Sequence, residues 1–116
     1  MSEPLEFFVC CTLIALEYLH NSDVMHRDIK PENMVLEGDG YVRLTDLGIA
    51  RLLAPNNADD TSGTPGYMAP EVMCRTDHGI AVDYYALGVT AYEFMFGQRP
   101  YPGKNRREIR EAIFAK

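Results

Sequence analysis

The stretch His26-Arg27-Asp28-Ile29-Lys30-Pro31-Glu32-Asn33 decides most of what this sequence predicts. It places a carboxylate, an amine and a carboxamide on one tight loop. These are the groups needed to activate a hydroxyl and to hold a phosphate that carries a metal ion. The stretch therefore indicates a catalytic loop for phosphoryl transfer.

Two further motifs follow this loop in the chain. The first is Asp46-Leu47-Gly48, and the second is the segment 63–71, which reads Gly-Thr-Pro-Gly-Tyr-Met-Ala-Pro-Glu. Each signal is weak alone, because His-Arg-Asp is often a salt-bridged surface tripeptide and Asp-Leu-Gly is an ordinary turn. Their order and spacing make the combination specific.

A short hairpin is predicted between the first two motifs. Residues 34–36 and 41–44 are strand signals, and the turn sequence Glu37-Gly38-Asp39-Gly40 separates them. The catalytic loop precedes this hairpin and the Asp46 turn follows it. We therefore expect the hairpin to bring the carboxylates of Asp28 and Asp46 close together.

The rest of the chain is mainly helical in its patterning. Residues 5–20 are apolar nearly all round, which predicts a helix enclosed by protein. Residues 81–96 predict a second helix that is apolar on most sides. Asn105, with Glu108 three residues later, resembles a capping box that opens an amphipathic helix. Residues 50–64 are rich in Asn, Asp, Ser and Gly and include Pro55, which predicts a mobile loop.

Composition sets bounds on the class of protein. The 116 residues leave room for one domain, and a chain of this length buries roughly 65% of its unfolded surface. The formal charge of −6 argues against nucleic-acid binding and suits a basic peptide partner. No run is long enough to span a membrane. Three cysteines without a paired spacing favour a reducing, intracellular compartment, which we expect to be the cytoplasm.

In these three motifs the sequence resembles the eukaryotic serine/threonine protein kinases, and the AGC-like group in particular. The resemblance implies an α+β, mainly helical fold with one small hairpin, similar to the C-terminal lobe of a kinase without its N-terminal lobe. Residues 1–116 would then form a partial kinase domain that comprises the catalytic loop, the activation segment and the helices that follow.

The resemblance also implies roles for the reacting groups. Asp28 would accept the proton of the substrate hydroxyl, and Lys30 would contact the transferred phosphate. Thr64 would bridge these two side chains. The implied catalytic set is Asp28, Lys30, Asn33, Asp46 and Thr64.

ATP and Mg²⁺ are the cofactors that the resemblance implies. Asn33 and Asp46 match the metal ligands, and hard oxygen donors suit Mg²⁺. Val35 and Thr45 resemble positions that touch the adenine ring, with core packing as an equal alternative. The implied nucleotide contacts are Lys30, Glu32, Asn33, Val35, Thr45 and Asp46.

Three further positions resemble structural residues of the family. His26 and Leu47 resemble members of the hydrophobic column that ties kinase lobes together, with Leu47 as an apolar plug. Asp83 resembles the aspartate that hydrogen-bonds the backbone beneath the catalytic loop. We expect these residues to hold geometry rather than to react.

Regulation is expected at the activation segment. In AGC-like kinases a phosphorylated threonine faces the arginine of the catalytic loop, here Arg27, and Asp60 occupies the corresponding position. We hypothesise that the Asp60 carboxylate partly substitutes for phosphate. Thr61 and Ser62 beside it are candidate modification sites.

Substrate contacts are expected from Glu32, Glu93, Pro65 and Met68. The two glutamates match positions that meet substrate arginines in basophilic relatives, although solvated glutamates are an equal alternative. The cations Lys104, Arg106, Arg107 and Arg110 are interpreted as a solvated helix face, with Arg107 and Glu111 spaced for an ion pair. The oligomeric state is not indicated.

Three hypotheses for function remain. The chain is a fragment of an active serine/threonine kinase, or a truncated kinase that binds partners without catalysis, or a small-molecule phosphotransferase of kinase-like fold. The last generally lacks the segment seen at 63–71 and ranks third. We expect the isolated chain to be inactive, because nothing in it covers the adenine or clamps the α and β phosphates.

Overall fold

The computed structural model describes residues 3–54 and 56–115, and these residues form helices and two short antiparallel sheets. Pro55 and both ends of the predicted 1–116 domain lie outside the described residues. The helices are α1 (Glu3–Asn21), α2 (Pro70–Met73), α3 (Ala81–Phe96) and α4 (Arg106–Phe114). The strands are β1 (Val24–Met25), β2 (Met34–Leu36), β3 (Val42–Leu44) and β4 (Arg51–Leu52), with 3-10 turns at Pro31–Asn33 and Pro65–Tyr67.

Helix α1 is longer than predicted and is not enclosed by protein. Leu16 is fully buried on its inner side. Ile14 and Tyr18 are 71% and 75% exposed on its outer side. The prediction of an enclosed helix was therefore wrong for this face. A helix that is apolar all around is typically covered on all sides. Within the described residues, α1 is covered on one side only.

Helix α3 has the predicted bounds and provides the centre of the core. Its residues Ala86, Leu87 and Val89 pack with Leu16 of α1 and with Ile29 of the catalytic loop. Gly97 ends the helix in the left-handed conformation, with φ of 77°, and its N–H donates to the carbonyl of Glu93. Glycine adopts this conformation without the steric cost that a Cβ would impose.

A second apolar cluster lies under the segment 63–71. Met68 of this segment, with Val72 and Met73 just after it, packs with Met25 of β1 and Ile109 of α4. Each of these residues is 6% exposed or less. The cluster therefore fixes the segment against the start of the catalytic loop on one side and against α4 on the other.

The predicted hairpin is confirmed. Strands β2 and β3 are antiparallel with Met34 opposite Leu44 and Leu36 opposite Val42. Just beyond this ladder, the N–H of Thr45 donates to the carbonyl of Asn33 at 2.8 Å. The hairpin therefore joins the end of the catalytic loop to the residue that precedes Asp46.

A second ladder was not predicted. Val24 pairs with Leu52 and Met25 pairs with Arg51, so that part of the predicted loop 50–64 is a strand. The N–H of Leu53 extends the pairing by donating to the carbonyl of Asp23. Strands of two residues are too short to produce an alternating pattern, and for this reason the sequence gives no sign of them.

Helix α4 begins with the predicted cap. The Oδ1 of Asn105 accepts a hydrogen bond from the N–H of Glu108 at 3.0 Å. The Glu108 carboxylate reaches back to the N–H of Lys104 at 3.3 Å. In the usual capping box the N–H of the N-cap residue, here Asn105, donates this second bond, whereas here the N–H of the residue before it donates. Arg107 and Glu111 form the predicted ion pair at 3.8 Å.

In the part of the chain that the structure describes, no helix combines the length and the apolar character that crossing a membrane requires.

We predict that Leu16→Ala lowers the free energy of unfolding by about 3 kcal/mol, because it leaves a cavity between α1 and α3. Leu13→Ala is the matched control in the same helix, since Leu13 is 39% exposed whereas Leu16 is 0% exposed. It is expected to cost less than about 1 kcal/mol. Urea unfolding followed by circular dichroism measures both changes, and equal losses would contradict the assignment of the core.

Candidate active site

The catalytic loop is held from below by the carboxylate of Asp83. The backbone N–H groups of His26 and Arg27 donate to its two oxygens at 2.9 and 2.8 Å. Asp83 is fully buried in the first turn of α3. Arg27 has a φ of 72°, a conformation that costs energy for a residue with a side chain. The bond to Asp83 stabilises it, as expected from the resemblance.

A histidine that was not predicted completes this arrangement. The Nε2 of His20 lies 2.8 Å from Asp83 Oδ2, and its Nδ1 lies 3.2 Å from the hydroxyl of Tyr84. A carboxylate only accepts hydrogen bonds, so Nε2 carries the proton. His20 and Asp83 are 63 positions apart in the sequence, and no local pattern indicates that they meet.

His26 connects the two metal-binding motifs of the prediction. Its Nδ1 accepts the N–H of Asp28 at 3.1 Å, so the proton is on Nε2. That nitrogen donates to the carbonyl of Thr45 at 2.9 Å. The fully buried imidazole therefore links the backbone of Asp28, the predicted base, to the carbonyl of Thr45, the residue before Asp46.

Four of the predicted catalytic residues form one hydrogen-bonded cluster. The hydroxyl of Thr64 donates to Asp28 Oδ1 at 2.7 Å and accepts from the Lys30 amine at 2.9 Å. The Asn33 amide donates to the backbone carbonyl of Asp28 at 2.8 Å and to its Oδ2 at 3.2 Å. The expected bridge by Thr64 is thus present.

Asp46 lies apart from this cluster. Its φ is 58°, and its Oδ1 accepts the N–H of Gly48 at 3.1 Å within its own turn. The described hydrogen bonds connect it to Asp28 through Asn33 and Thr45 of the hairpin and through the His26 imidazole. These indirect links join the two motifs, and the described hydrogen bonds and ion pairs include none between the two carboxylates.

The donor chemistry at this end of the hairpin fits a hard cation. Because the Asn33 amide nitrogen faces Asp28, its oxygen is available as a ligand. The Asp46 carboxylate is exposed, and its Oδ2 has no hydrogen bond among the described residues. Two such oxygens suit Mg²⁺, which takes few protein ligands.

Leu47 differs from its expected role. Its side chain is 57% exposed and borders an open apolar groove, whereas the resemblance implies an apolar plug. The groove has a volume of about 540 Å³. It runs between the outer face of α1 and strand β3, and it is lined in part by Phe7, Ile14, Tyr18, Tyr41 and Leu47.

Asp60 forms an ion pair with Arg27. Arg27 Nη1 lies 2.5 Å from Asp60 Oδ2, and Arg27 Nε donates to the carbonyl of Ile49 at 2.8 Å. Burial of Asp60 would raise the pKa of its carboxyl, but hydrogen bonds from Ser62 and Arg27 and the charge of Arg27 lower it below the usual 3.8. The carboxylate is therefore stabilised in its charged form.

The guanidinium of Arg27 keeps one donor unused. It is almost fully enclosed, with 3% of the side chain exposed, and its Nη2 has no hydrogen-bond acceptor among the described residues. A buried donor without an acceptor costs energy, and a group with more acceptor oxygens than a carboxylate would satisfy it. This position therefore fits an anion.

Helix α4 also contacts the activation segment. Arg106 donates from Nη2 to the backbone carbonyl of Thr61 at 3.0 Å. The prediction that the cations of α4 form only a solvated face was therefore wrong for Arg106, which is half-buried. The contact depends on the packing of Ile109 beneath the segment, and spacing within α4 does not reveal it.

The predicted substrate contacts fall into different environments. Glu32 and Pro65 are partly exposed. Glu93 accepts a hydrogen bond from the Tyr67 hydroxyl at 2.5 Å. Met68 is 6% exposed and packs in the core, which differs from the expectation that it touches a substrate.

Comparison with known proteins agrees with these motifs. The family model for the protein kinase domain matches residues 2–116. The chain belongs to the protein kinase family. It is 41% identical over 107 residues to a cAMP-dependent protein kinase, catalytic subunit-like, from Caenorhabditis elegans. It is 44% identical over 101 residues to the RAC-beta serine/threonine-protein kinase of Rattus norvegicus, and 40% identical over 99 residues to the rat cGMP-dependent protein kinase 2.

This kinase chain corresponds to a small part of those relatives. The three matches cover 92%, 85% and 84% of the chain but only 27%, 21% and 13% of the respective relatives. The resemblance to AGC-like serine/threonine kinases is confirmed. The fold class is also confirmed, with the correction that the kinase chain has a second small sheet.

We predict that Asp60→Asn lowers the free energy of unfolding near pH 7 and that this difference disappears in acid. The folded-state pKa of Asp60 is lowered, so its contribution is present above pH 3.8 and is lost as the pH falls through the folded value. Urea unfolding of both proteins between about pH 7 and pH 3 measures the difference.

Asp59→Asn is the control for this experiment. Asp59 is exposed and carries the same charge, so its removal is expected to change the free energy of unfolding by less than about 0.5 kcal/mol at pH 7. A difference between wild type and Asp60→Asn that grows with acid would contradict the ion pair.

Proposed function

We propose that this chain is part of the catalytic domain of a serine/threonine protein kinase, and that residues 1–116 comprise its catalytic loop, activation segment and following helices. The reaction transfers the γ-phosphoryl group of ATP to a Ser or Thr hydroxyl of a protein substrate. One observation carries the proposal. The Thr64 hydroxyl joins Asp28 and Lys30, so that the catalytic loop and the segment 63–71 form a single site.

Asp28 is the proposed general base. Its Oδ1 is bound to Thr64, and its Oδ2 faces the Asn33 amide and, at 3.8 Å, the Lys30 amine. These contacts orient the carboxylate. An oriented carboxylate accepts the proton of a substrate hydroxyl as the hydroxyl attacks phosphorus.

Lys30 is the proposed phosphate contact. Its amine lies 2.9 Å from the Thr64 hydroxyl and is partly exposed, with 22% of the side chain accessible. A cation at this place stabilises the charge on the transferred phosphoryl oxygens. The Lys30 cation and the Asp28 carboxylate, which is the proposed proton acceptor, then lie next to each other where the substrate hydroxyl would react.

Mg²⁺ and ATP are the proposed cofactors. Asn33 and Asp46 would hold the cation, in keeping with the oxygen donors described above. When bound, the cation compensates the negative charge of the phosphates. Glu32, Val35 and Thr45 are the remaining proposed nucleotide contacts, and the 41% exposure of Val35 supports a role in contact over one in core packing.

A basic peptide is the proposed substrate class. Glu32 is partly exposed near the catalytic loop, and Glu93 lies beside the segment 63–71. The charge of Glu32 acts on Tyr67, to which Glu93 is bound, so both glutamates are within electrostatic reach of the same phenol. The net charge of −6 favours encounter with a basic partner.

Asp60 is proposed to replace an activating phosphate. The ion pair with Arg27 supplies the negative charge that orders the segment, and the unused Nη2 of Arg27 indicates that a carboxylate satisfies the site only partly. Thr61 and Ser62 remain proposed modification sites. Phosphate there would add oxygens next to a buried cation.

A second candidate function is binding without catalysis. The open apolar groove along α1 favours it, because a contiguous exposed apolar surface is typical of interaction sites. The two candidates are separated by whether residues 1–116 support phosphate transfer once they are joined to an N-terminal lobe.

We predict that Asp28→Asn lowers kcat at least about a hundredfold in a kinase domain that joins these residues to an N-terminal lobe, because the proton acceptor is lost. Asp39→Asn is the control, since Asp39 lies on the exposed hairpin, where it pairs with Arg43 and accepts the N–H of Tyr41. Phosphate incorporation into a basic peptide from labelled ATP measures both. Retention of more than about a tenth of the rate by Asp28→Asn would contradict the role of the base.

We predict that the purified 116-residue chain transfers no phosphate, because its described residues include no group that covers an adenine ring. The measurement is incorporation of labelled phosphate at saturating ATP and Mg²⁺, with Asp28→Asn as the background. Transfer above this background by the wild-type chain would contradict the prediction and would exclude the purely binding alternative.

A further inference from the structure

Arg99 lies against the segment 63–71, which contains two of the predicted substrate contacts, Pro65 and Met68. Gly97 ends α3 in the left-handed conformation, and Arg99 follows two residues later. The Cζ of Arg99 lies 5.7 Å from the centroid of the Tyr67 ring. A β-carbon placed on Gly66 would lie 1.5 Å from the Nη1 of Arg99. The guanidinium therefore covers the backbone at Gly66 and the adjacent ring.

Arg99 shares this place with two carboxylates. Burial raises the pKa of Tyr67, and the bound Glu93 and the charge of Glu32 raise it further. Arg99 acts in the opposite direction on the same phenol. All three charged groups are therefore within electrostatic reach of one hydroxyl.

The charge of Arg99 is not neutralised by a direct partner. Among the described residues, no carboxylate oxygen lies within the 4.0 Å that defines an ion pair with its guanidinium nitrogens. The described contacts that hold it are the face of Tyr67 and the backbone of Gly66. A cation on an aromatic ring keeps its full charge and repels other cations nearby.

We propose that Arg99 is a specificity-determining residue that lowers the affinity of the Glu32 and Glu93 surface for basic side chains of a substrate. It places a positive charge of this chain beside the carboxylates that would attract such a side chain. A substrate arginine must approach against this charge or displace Arg99 from the Tyr67 ring. The inference rests on the proposed use of Glu32 and Glu93 in substrate binding.

Peptide binding by the 116-residue chain tests this role without phosphate transfer. The probes are a fluorescein-labelled peptide with two arginines before a serine and the same peptide with glutamines instead. By fluorescence anisotropy, Arg99→Ala is expected to bind the arginine peptide about three- to tenfold more tightly than the wild type at low salt. Its affinity for the glutamine peptide is expected to be unchanged. The gain should vanish near 1 M salt, where the Debye length is about 3 Å.

Arg110→Ala is the matched control. It removes the same charge from an exposed position on α4, and its affinity for the arginine peptide should change by less than about twofold. Circular dichroism establishes that each variant is folded. Arg99→Gln keeps part of the side chain and replaces Arg99→Ala if the latter unfolds.

Two results would overturn the role of Arg99. One is an unchanged affinity of both Arg99 variants for the arginine peptide, including the case in which no protein binds it. The other is an equal gain in Arg110→Ala. Glu32→Gln distinguishes failure of the Arg99 role from failure of the proposed substrate class. If Glu32→Gln binds the arginine peptide more weakly than the wild type, the proposed basic substrate class is supported whatever the Arg99 variants show. The Asp28→Asn assay tests phosphate transfer independently of both.

Discussion

The buried carboxylate of Asp83 is the interaction on which the rest of the site depends. It accepts two backbone N–H groups of the catalytic loop and the Nε2 proton of His20. A fully buried charge is costly unless hydrogen bonds satisfy it, and these three donors do so. In return, the carboxylate stabilises the left-handed backbone at Arg27, which directs Asp28 toward Thr64 and the Arg27 side chain toward Asp60.

The activation segment is contacted from two sides. Arg27 reaches it at Asp60 from the catalytic loop, and Arg106 reaches it at the Thr61 carbonyl from α4. Three residues later, Thr64 closes the site by its bonds to Asp28 and Lys30. These contacts of the segment are therefore made by groups that are present in the unmodified chain.

The surfaces on either side of this site differ in character. Near Tyr67, the charges of Glu32 and Glu93 act on the phenol in one direction and the charge of Arg99 acts in the other. Along α1, several apolar side chains are exposed, and Ile14 and Tyr18 present most of their area to solvent. A helix of this pattern gains stability from a covering surface. Leu47, next to Asp46, borders the same groove.

The sequence by itself determined the family, the bounds of α3, the hairpin and the cap of α4, because each depends on residues close together in the chain. The resemblance to protein kinases that the three motifs carry also implied the contact of Thr64 with Asp28 and Lys30. Only the tertiary structure decided the places of His20, Arg99 and Arg106, since these depend on how distant helices pack. It also decided that Met68 is buried and that one face of α1 is open, because an apolar side chain does not by itself specify what covers it.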